Sequence, residues 1–520
     1  STLMRSSAAS DVYKRQTNDT VDEDGKVNGI MYQEGLPLVD EGDYTFSIFC
    51  DDSSESGEFI MLDEFKKQTN VDVDLKIYPY ETATERLNLD LNSGDYADVI
   101  GGWTLSDNAI LTYGVNQGVF IPLEDYFEKY CPNISAILDL PGVREKMTAP
   151  DGHIYTIPYV CGDTTVGYSP YINTKWLENV GMSMPTTTDE FEAVLKAFKE
   201  QDANGNGDAS DEIPFSTDPN NKHIEAMAGY FGLPMNKLGI AIQDEKVVYG
   251  GVSNTYREFL SWFHKLYADG LVDVELYTQD SSTWEGKGNQ DLYGVSIAYG
   301  SNEFTGIPAA EERGDFDSMP VLNTDKGGIW LRDTEGFSVY RTQAVITNKA
   351  EHPEIICRWF DNAFALENGI GCNRGPVGVI VNKEDDGYHA IDTTTLSEED
   401  QEKYSWGNLW PQSLPKYLPV DFEFVEEHPM YDEKKATEEA YEANLTKEII
   451  PSYWIDLDKI DTFSDTNTAI KDFFEQQQAQ FVCGELDIDN DADWQAYVDG
   501  MYSLGLEDWV ATQGIEEIAK

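Results

Sequence analysis

Three consecutive segments near the start of the chain constrain its fold more than anything else in the sequence. YTFSIFC (residues 44–50) is a short β-rich run, EFIMLDEFKKQ (58–68) has helical periodicity, and VDLKIY (73–78) is a second strand. Strand, helix and strand in that order imply a parallel pair joined by a crossover helix, which places this part of the chain in the α/β class. Open parallel sheets bind ligands beyond the carboxyl ends of their strands, so the loops after Cys50, Ile100 and Val160 become the first places to look for a site.

Further along, PTTTDEFEAVLKAFKE (185–200) carries capping-box spacing at Thr187 and Glu190, with Phe191, Val194, Leu195 and Phe198 on one face. Residues 256–269 and 353–367 repeat the helical pattern, and GVSIAYG and QAVITN read as short buried strands. No internal repeat is present, so a solenoid or propeller is not expected. At 520 residues the chain exceeds what one hydrophobic core organises, and two or more lobes with a cleft between them are expected.

Lys plus Arg number 36 against 96 Asp plus Glu, a formal net charge of −60. A surface so acidic repels phosphate backbones and anionic headgroups, which argues against nucleic-acid binding and basic membrane docking. With 40% hydrophobic and 12% aromatic residues the chain nevertheless has ample core-forming material. No stretch reaches the roughly 18 to 20 apolar residues of a membrane-spanning helix. Cys50, Cys131, Cys161, Cys357, Cys372 and Cys483 are widely spaced, reading as buried thiols with one or two disulfides left open. STLMRSSAASDVYKRQ (1–16) is basic, lacks an apolar core and resembles translated adaptor sequence, so a leader or lipid-anchoring Cys is not to be judged from this start. Residues 17–43, acidic and Gly-rich, read as a flexible tether, and the acidic runs 397–402 and 423–427 as solvated faces.

The sharpest local signal is DANGNGDASDE (202–212). Asp202, Asn204, Asn206 and Asp208 alternate with small residues, so their oxygens converge on one point as in the first half of an EF-hand loop, and Asp211 or Glu212 would close the shell. Calcium in a structural role is expected; the competing reading is a polar turn. Enzyme signatures are thin: six His, no HExxH, no GxSxG elbow and no P-loop. Paired carboxylates for glycoside cleavage are uninformative among 96 acids. Trp103, Trp284, Trp330, Trp406, Trp410 and Trp454 lie outside the strongest amphipathic helices, and loop indoles beside polar groups suit the apolar C–H faces of sugars.

LNLDLNSGDYADVI, GVFIPLEDYFEKY, DGHIYTIPY, the long block YINTKWLENVGMSMPTTTDEFEAVLKAFKEQDANGNGDASDEIPFS, AVITNKAEHPEIICRWFDNAF and FVCGELDIDNDADWQAYVDGMYSLGLEDWV follow one another in an order that resembles the extracellular solute-binding proteins of ABC importers, specifically the family 1 branch serving carbohydrate uptake. The resemblance implies a type II periplasmic-binding fold of two α/β lobes with a hinge and an interlobe ligand cleft. Residues 1–43 would form the non-native start and tether, 44–163 with 345–405 lobe I, and 164–344 with 406–520 lobe II. It implies that Asp202, Asn204, Asn206, Asp208 through its carbonyl, Asp211 and Glu212 bind calcium, the bidentate member of the last pair being open because the loop departs in length from the common form. Candidate ligand residues are Asp98, Trp103, Tyr159, Asp163, Trp284, Tyr299, Glu303, Trp330, Arg374 and Trp410. The implied activity is binding without turnover, with an oligosaccharide delivered to ABC permease subunits by a monomeric lipoprotein at the outer face of the bacterial cytoplasmic membrane. A peptide or other solute, or a secreted glycan-cleaving enzyme, is the alternative.

Overall fold

The computed structural model describes residues 19–52, 57–220, 223–306, 315–426 and 429–520, the side chains of 429–431 excepted. The basic segment 1–16, Glu427 of the second acidic run and part of the loop after Cys50 lie outside the described residues. The chain forms two compact units: residues 1–163 with 336–426, and residues 164–335 with 427–520.

The first unit is built on a four-stranded sheet in the order Ala344–Ile346, Val99–Gly101, Tyr44–Asp51, Val71–Tyr78. Tyr44–Asp51 pairs in parallel with both neighbours, Ile48 lying opposite Leu75 on one side and Val99 on the other. The helix Ile60–Thr69 makes the crossover and buries Met61 and Phe65. Beneath the sheet, Trp359 of the helix Pro353–Ala363 stacks on Trp410 at 5.8 Å, and Phe65 meets both indoles edge-on. This aromatic nest draws residues 406–426 into the first unit, correcting the expected boundary at 405. The other expected boundary, 344/345, also moves: Phe337–Tyr340 pairs antiparallel with Tyr159–Gly162, so the first unit takes up the chain again at Gly336.

The expected tether is a second correction. Lys26–Val27 pairs with Met31–Tyr32, and Val27, Met31, Leu38 and Val39 are buried in the core of the first unit. Arg358 donates to the carbonyls of Tyr32 and Gly35, and Leu38 N donates to Thr69 O at 3.1 Å. Apolar residues separated by glycines read as linker in sequence, yet they pack once a core is available to receive them.

The second unit has a sheet in the order Phe316–Ser318, Ser169–Asn173, Tyr293–Ala298, Ile213–Thr217, the last two strands being parallel. The helix Thr188–Glu200 buries Thr188, Phe191, Val194, Leu195 and Phe198. Thr187 Oγ1 accepts from Glu190 N at 3.1 Å, while the Glu190 carboxylate turns back to accept from the amide of Thr186 at 2.8 Å. Three expected ligand tryptophans lie in core. Trp284 is 2% exposed and donates to Ser296 Oγ, Trp330 is 1% exposed against Tyr230 and Tyr441, and Trp410 of the first unit is fully buried. An indole enclosed by its own core has no face to offer a sugar, so all three leave the candidate ligand set. The six cysteines are free thiols.

Truncating a fully buried methionine removes its contacts and leaves a cavity, so Met31→Ala is expected to cost about 2–5 kcal/mol, read from urea denaturation. A loss below about 0.5 kcal/mol would restore the tether reading.

Candidate functional site

In the loop of residues 202–212, Asp202, Asn204 and Asp211 are half-buried and Glu212 buried, while Asn206 and Asp208 are exposed. Gly205 and Gly207, at φ 72° and 91°, supply left-handed turns that a side chain would strain. Asn204 Oδ1 accepts from Asn206 N at 3.1 Å, Asn206 Oδ1 from Asp208 N at 2.8 Å and Asp202 Oδ2 from Gly207 N at 2.8 Å. The Asn204 and Asn206 amides donate to the two oxygens of Asp211 at 3.1 and 2.5 Å. Asp202 Oδ1 and Glu212 Oε2 are buried without a hydrogen-bond partner among the described residues. Burial also holds the Glu212 carboxyl above its ordinary pKa. Two orphaned buried carboxylate oxygens in an oxygen-lined loop fit a hard cation. The loop leads directly into the strand Ile213–Thr217, and Asn204 donates to Asp291 O, two residues before Tyr293–Ala298, so it fastens the amino ends of both parallel strands.

The carboxyl ends of the first unit's parallel strands carry a different chemistry. Asp51, fully buried, accepts from the amides of Trp103 and Thr104 at 3.0 and 2.7 Å, folding the loop after Val99–Gly101 over the strand end. Gly102 makes that approach possible: at φ 123°, a Cβ there would lie 2.5 Å from Asp51 Oδ1. The turn presents Trp103, 47% exposed, and Tyr340, 40% exposed, with ring centroids 5.6 Å apart and the buried Tyr159 behind them at 6.4 and 5.4 Å. Asp163 accepts from the Ser338 hydroxyl at 2.5 Å, tying the two strands that carry Tyr159 and Tyr340. Arg374 is exposed at the end of the helix Leu366–Asn373. Asp98 sits at the opposite, amino end of its strand, where its carboxylate accepts from the amide and hydroxyl of Ser47 at 2.8 and 3.2 Å, a bracing task.

In the second unit, Tyr299 and Glu303 follow the strand Tyr293–Ala298, and Glu303 accepts from Tyr299 N at 2.8 Å. Burial raises the Glu303 carboxyl pKa. Lys434 donates to Tyr299 O at 2.6 Å and to Gly167 O at 2.7 Å, its Nζ 4.0 Å over the Tyr299 ring. Tyr168 stacks on His223 at 4.1 Å, and burial pushes that imidazole down to about 4, leaving it neutral at physiological pH. Sequence reading missed Tyr340 and His223, which carry no local signal. Asp51 could have been found as the last residue of the first parallel strand.

Glu384, Asp386 and His389 on the hairpin Val381–Glu384/Gly387–Ala390 bring three ligand-type atoms within 4.8 Å of one another. Both imidazole nitrogens are already engaged, by Asp386 at 2.7 Å and Glu426 at 2.6 Å, which is the arrangement of an ion-paired imidazolium.

Residues 53–369 match the family of bacterial extracellular solute-binding proteins. Over 335 residues the chain is 34% identical to the fructooligosaccharide ABC transporter substrate-binding protein FusA of Streptococcus pneumoniae serotype 4, the match spanning 62% of this chain and 61% of FusA. The structure of S. pneumoniae FusA in complex with kestose is similar at a TM-score of 0.70 and 27% identity, covering 90% of this chain and 98% of that one. An EF-hand mutant of FusA in complex with fructo-nystose gives 0.69 and 26%, with 90% and 98% covered. No helix among the described residues is long and apolar enough to cross a membrane.

The hydrogen bonds that the imidazolium donates to Asp386 and then to Glu426 raise the His389 pKa to about 9, above the roughly 6.5 of an unfolded histidine. The clamp therefore contributes fully below pH 6.5 or so and is lost as pH rises through about 9. NMR titration of the folded protein should show one imidazole with a midpoint near 9 that disappears in His389→Gln; six midpoints all near 6.5 or below would contradict the clamp.

Proposed function

The chain belongs to the bacterial extracellular solute-binding protein family, and from that premise we propose that it captures an oligosaccharide outside the cell and delivers it to the permease of an ABC importer. The observation that carries the sugar reading is the exposed pair Trp103 and Tyr340, Trp103 being held at the carboxyl end of a parallel sheet by Asp51. Aromatic faces stack on the C–H faces of sugar rings, and rigid backbone anchoring removes the entropy cost of ordering them on binding. Arg374, exposed in the same unit, is the proposed hydrogen-bonding group for hydroxyls. The relative FusA directs the first choice of ligand to fructooligosaccharides. The protein acts as a monomer, anchored to the outer face of the cytoplasmic membrane through an N-terminal lipid, and returns its ligand unchanged.

Calcium is the proposed occupant of the loop of residues 202–212, through Asp202, Asn204, Asn206, the carbonyl of Asp208, Asp211 and Glu212. Glu212 is the proposed bidentate ligand: it is buried with an unpaired oxygen, whereas both Asp211 oxygens accept from asparagine amides. Bound there, the ion neutralises clustered carboxylates at the amino ends of two strands, away from Tyr299 and Glu303. Its role is structural.

Thermal shift in the presence of calcium, against kestose, fructo-nystose, other glycans, peptides and polyamines, tests the function. A rise of several degrees with one glycan class, and recovery of that glycan intact, is the expected outcome. A response to peptides or polyamines alone would overturn the carbohydrate assignment, and recovery of shortened glycan would make the protein an enzyme. Chelation should lower the melting temperature while saturating ligand affinity changes little. Metal present at a hundred to a thousand times its Kd adds about 3 to 4 kcal/mol, and Glu212→Gln should abolish this dependence. A melting curve indifferent to chelator would remove the metal.

A further inference from the structure

Resting on the oligosaccharide reading, we infer that Trp406 is a second sugar-stacking platform alongside Trp103, so that the first unit grips a saccharide chain at more than one ring. Trp406 is the more exposed of the two, at 58% against 47%. An indole left that far in water is informative when its surroundings hold it still, because nothing in its own burial accounts for the ordering.

Its surroundings do hold it still. Gln412 Nε2 donates to the carbonyls of Trp406 and Trp410 at 3.1 and 2.9 Å, so the backbone that carries the exposed indole is tied to that of the one buried in the aromatic nest. The turn is closed by Asn408 Nδ2, which donates to Glu402 O at 2.9 Å and Ser405 Oγ at 3.1 Å. On the ring's inner face lies the ammonium of Lys416, 4.9 Å from the centroid. Lys416 is only 5% exposed and donates to Gln412 Oε1; among the described residues no carboxylate comes within ion-pair distance of it. A buried cation without a close counter-ion gains from the electron-rich face of an indole, which fixes the ring plane and leaves the outer face to solvent.

Trp406 and Trp103 also share one foundation. Asp52 Oδ2 accepts from Gln412 N at 2.7 Å, just as Asp51 Oδ1 accepts from Trp103 N at 3.0 Å. Two adjacent residues at one strand's carboxyl end thus hold the loops that carry both indoles. Two indoles held on loops that share one strand end offer two apolar platforms to the C–H faces of successive rings in a linear saccharide.

Chain length separates the two platforms, since a short sugar reaches one and a longer sugar both. Calorimetric titration of the calcium-loaded full chain with sucrose, kestose and fructo-nystose, repeated with Trp406→Ala and Trp406→Phe, makes the test. Trp406→Ala should weaken fructo-nystose by about tenfold and sucrose by less than about twofold, with Trp406→Phe recovering most of the loss. The melting temperature of Trp406→Ala should fall only slightly, since the exposed side chain removed takes with it only its contact with Lys416, and that small loss is common to all three sugars. An equal loss for all three sugars, or affinities unchanged for all three, would overturn the second platform while leaving the oligosaccharide reading in place. If the unsubstituted protein bound none of them, the fructooligosaccharide reading would fail and this inference with it.

Discussion

Two neighbouring carboxylates, Asp51 and Asp52, carry the candidate sugar-contact face of the first unit. They end the strand Tyr44–Asp51 and extend past it, where a parallel sheet has unpaired backbone and needs loops to cover it. Asp51 satisfies the amides of Trp103 and Thr104, and Asp52 that of Gln412. Burial raises the Asp51 pKa, and the amides donated to it offset that cost by favouring the ionised form. The loops hung from these acids carry Trp103 and Trp406, and the absence of a Cβ at Gly102 permits the close fit.

Other acids set into the fold accept from backbone and side-chain donors in the same way. Asp98 braces Ser47, Asp361 accepts from Ile134 N at 2.8 Å, and Glu433 accepts from the amide and hydroxyl of Ser301 at 2.8 and 2.6 Å. A chain with 96 acids spends some of them as internal acceptors and the rest on a strongly negative surface. The two kinds are indistinguishable in a one-dimensional pattern, because a carboxylate's task depends on which amides approach it. That is why Asp98 looked like a ligand residue and Asp51 did not.

Local chemistry was legible. The helix Thr188–Glu200 follows from its own spacing, and its capping threonine does what the pattern predicts, since both partners lie within one turn. The loop of residues 202–212 is legible for the same reason: its donors are brought together by turns that its own glycines encode. Among the tryptophans the sequence drew no such distinction. Trp284, Trp330 and Trp410 are enclosed, Trp103 and Trp406 exposed, and all stand near turn-forming residues.

Sequence alone therefore determined the α/β class, the principal helices and the glycine-turned Asn/Asp pattern of the loop of residues 202–212, because each depends on residues a few positions apart. Tertiary structure decided which indoles face solvent, that Val27 to Val39 joins a core rather than a tether, and that residues 406–426 belong to the first unit. Those outcomes rest on contacts between distant segments, such as Trp410 on Trp359 and Gln412 on Asp52, whose energies exist only when the whole core has formed.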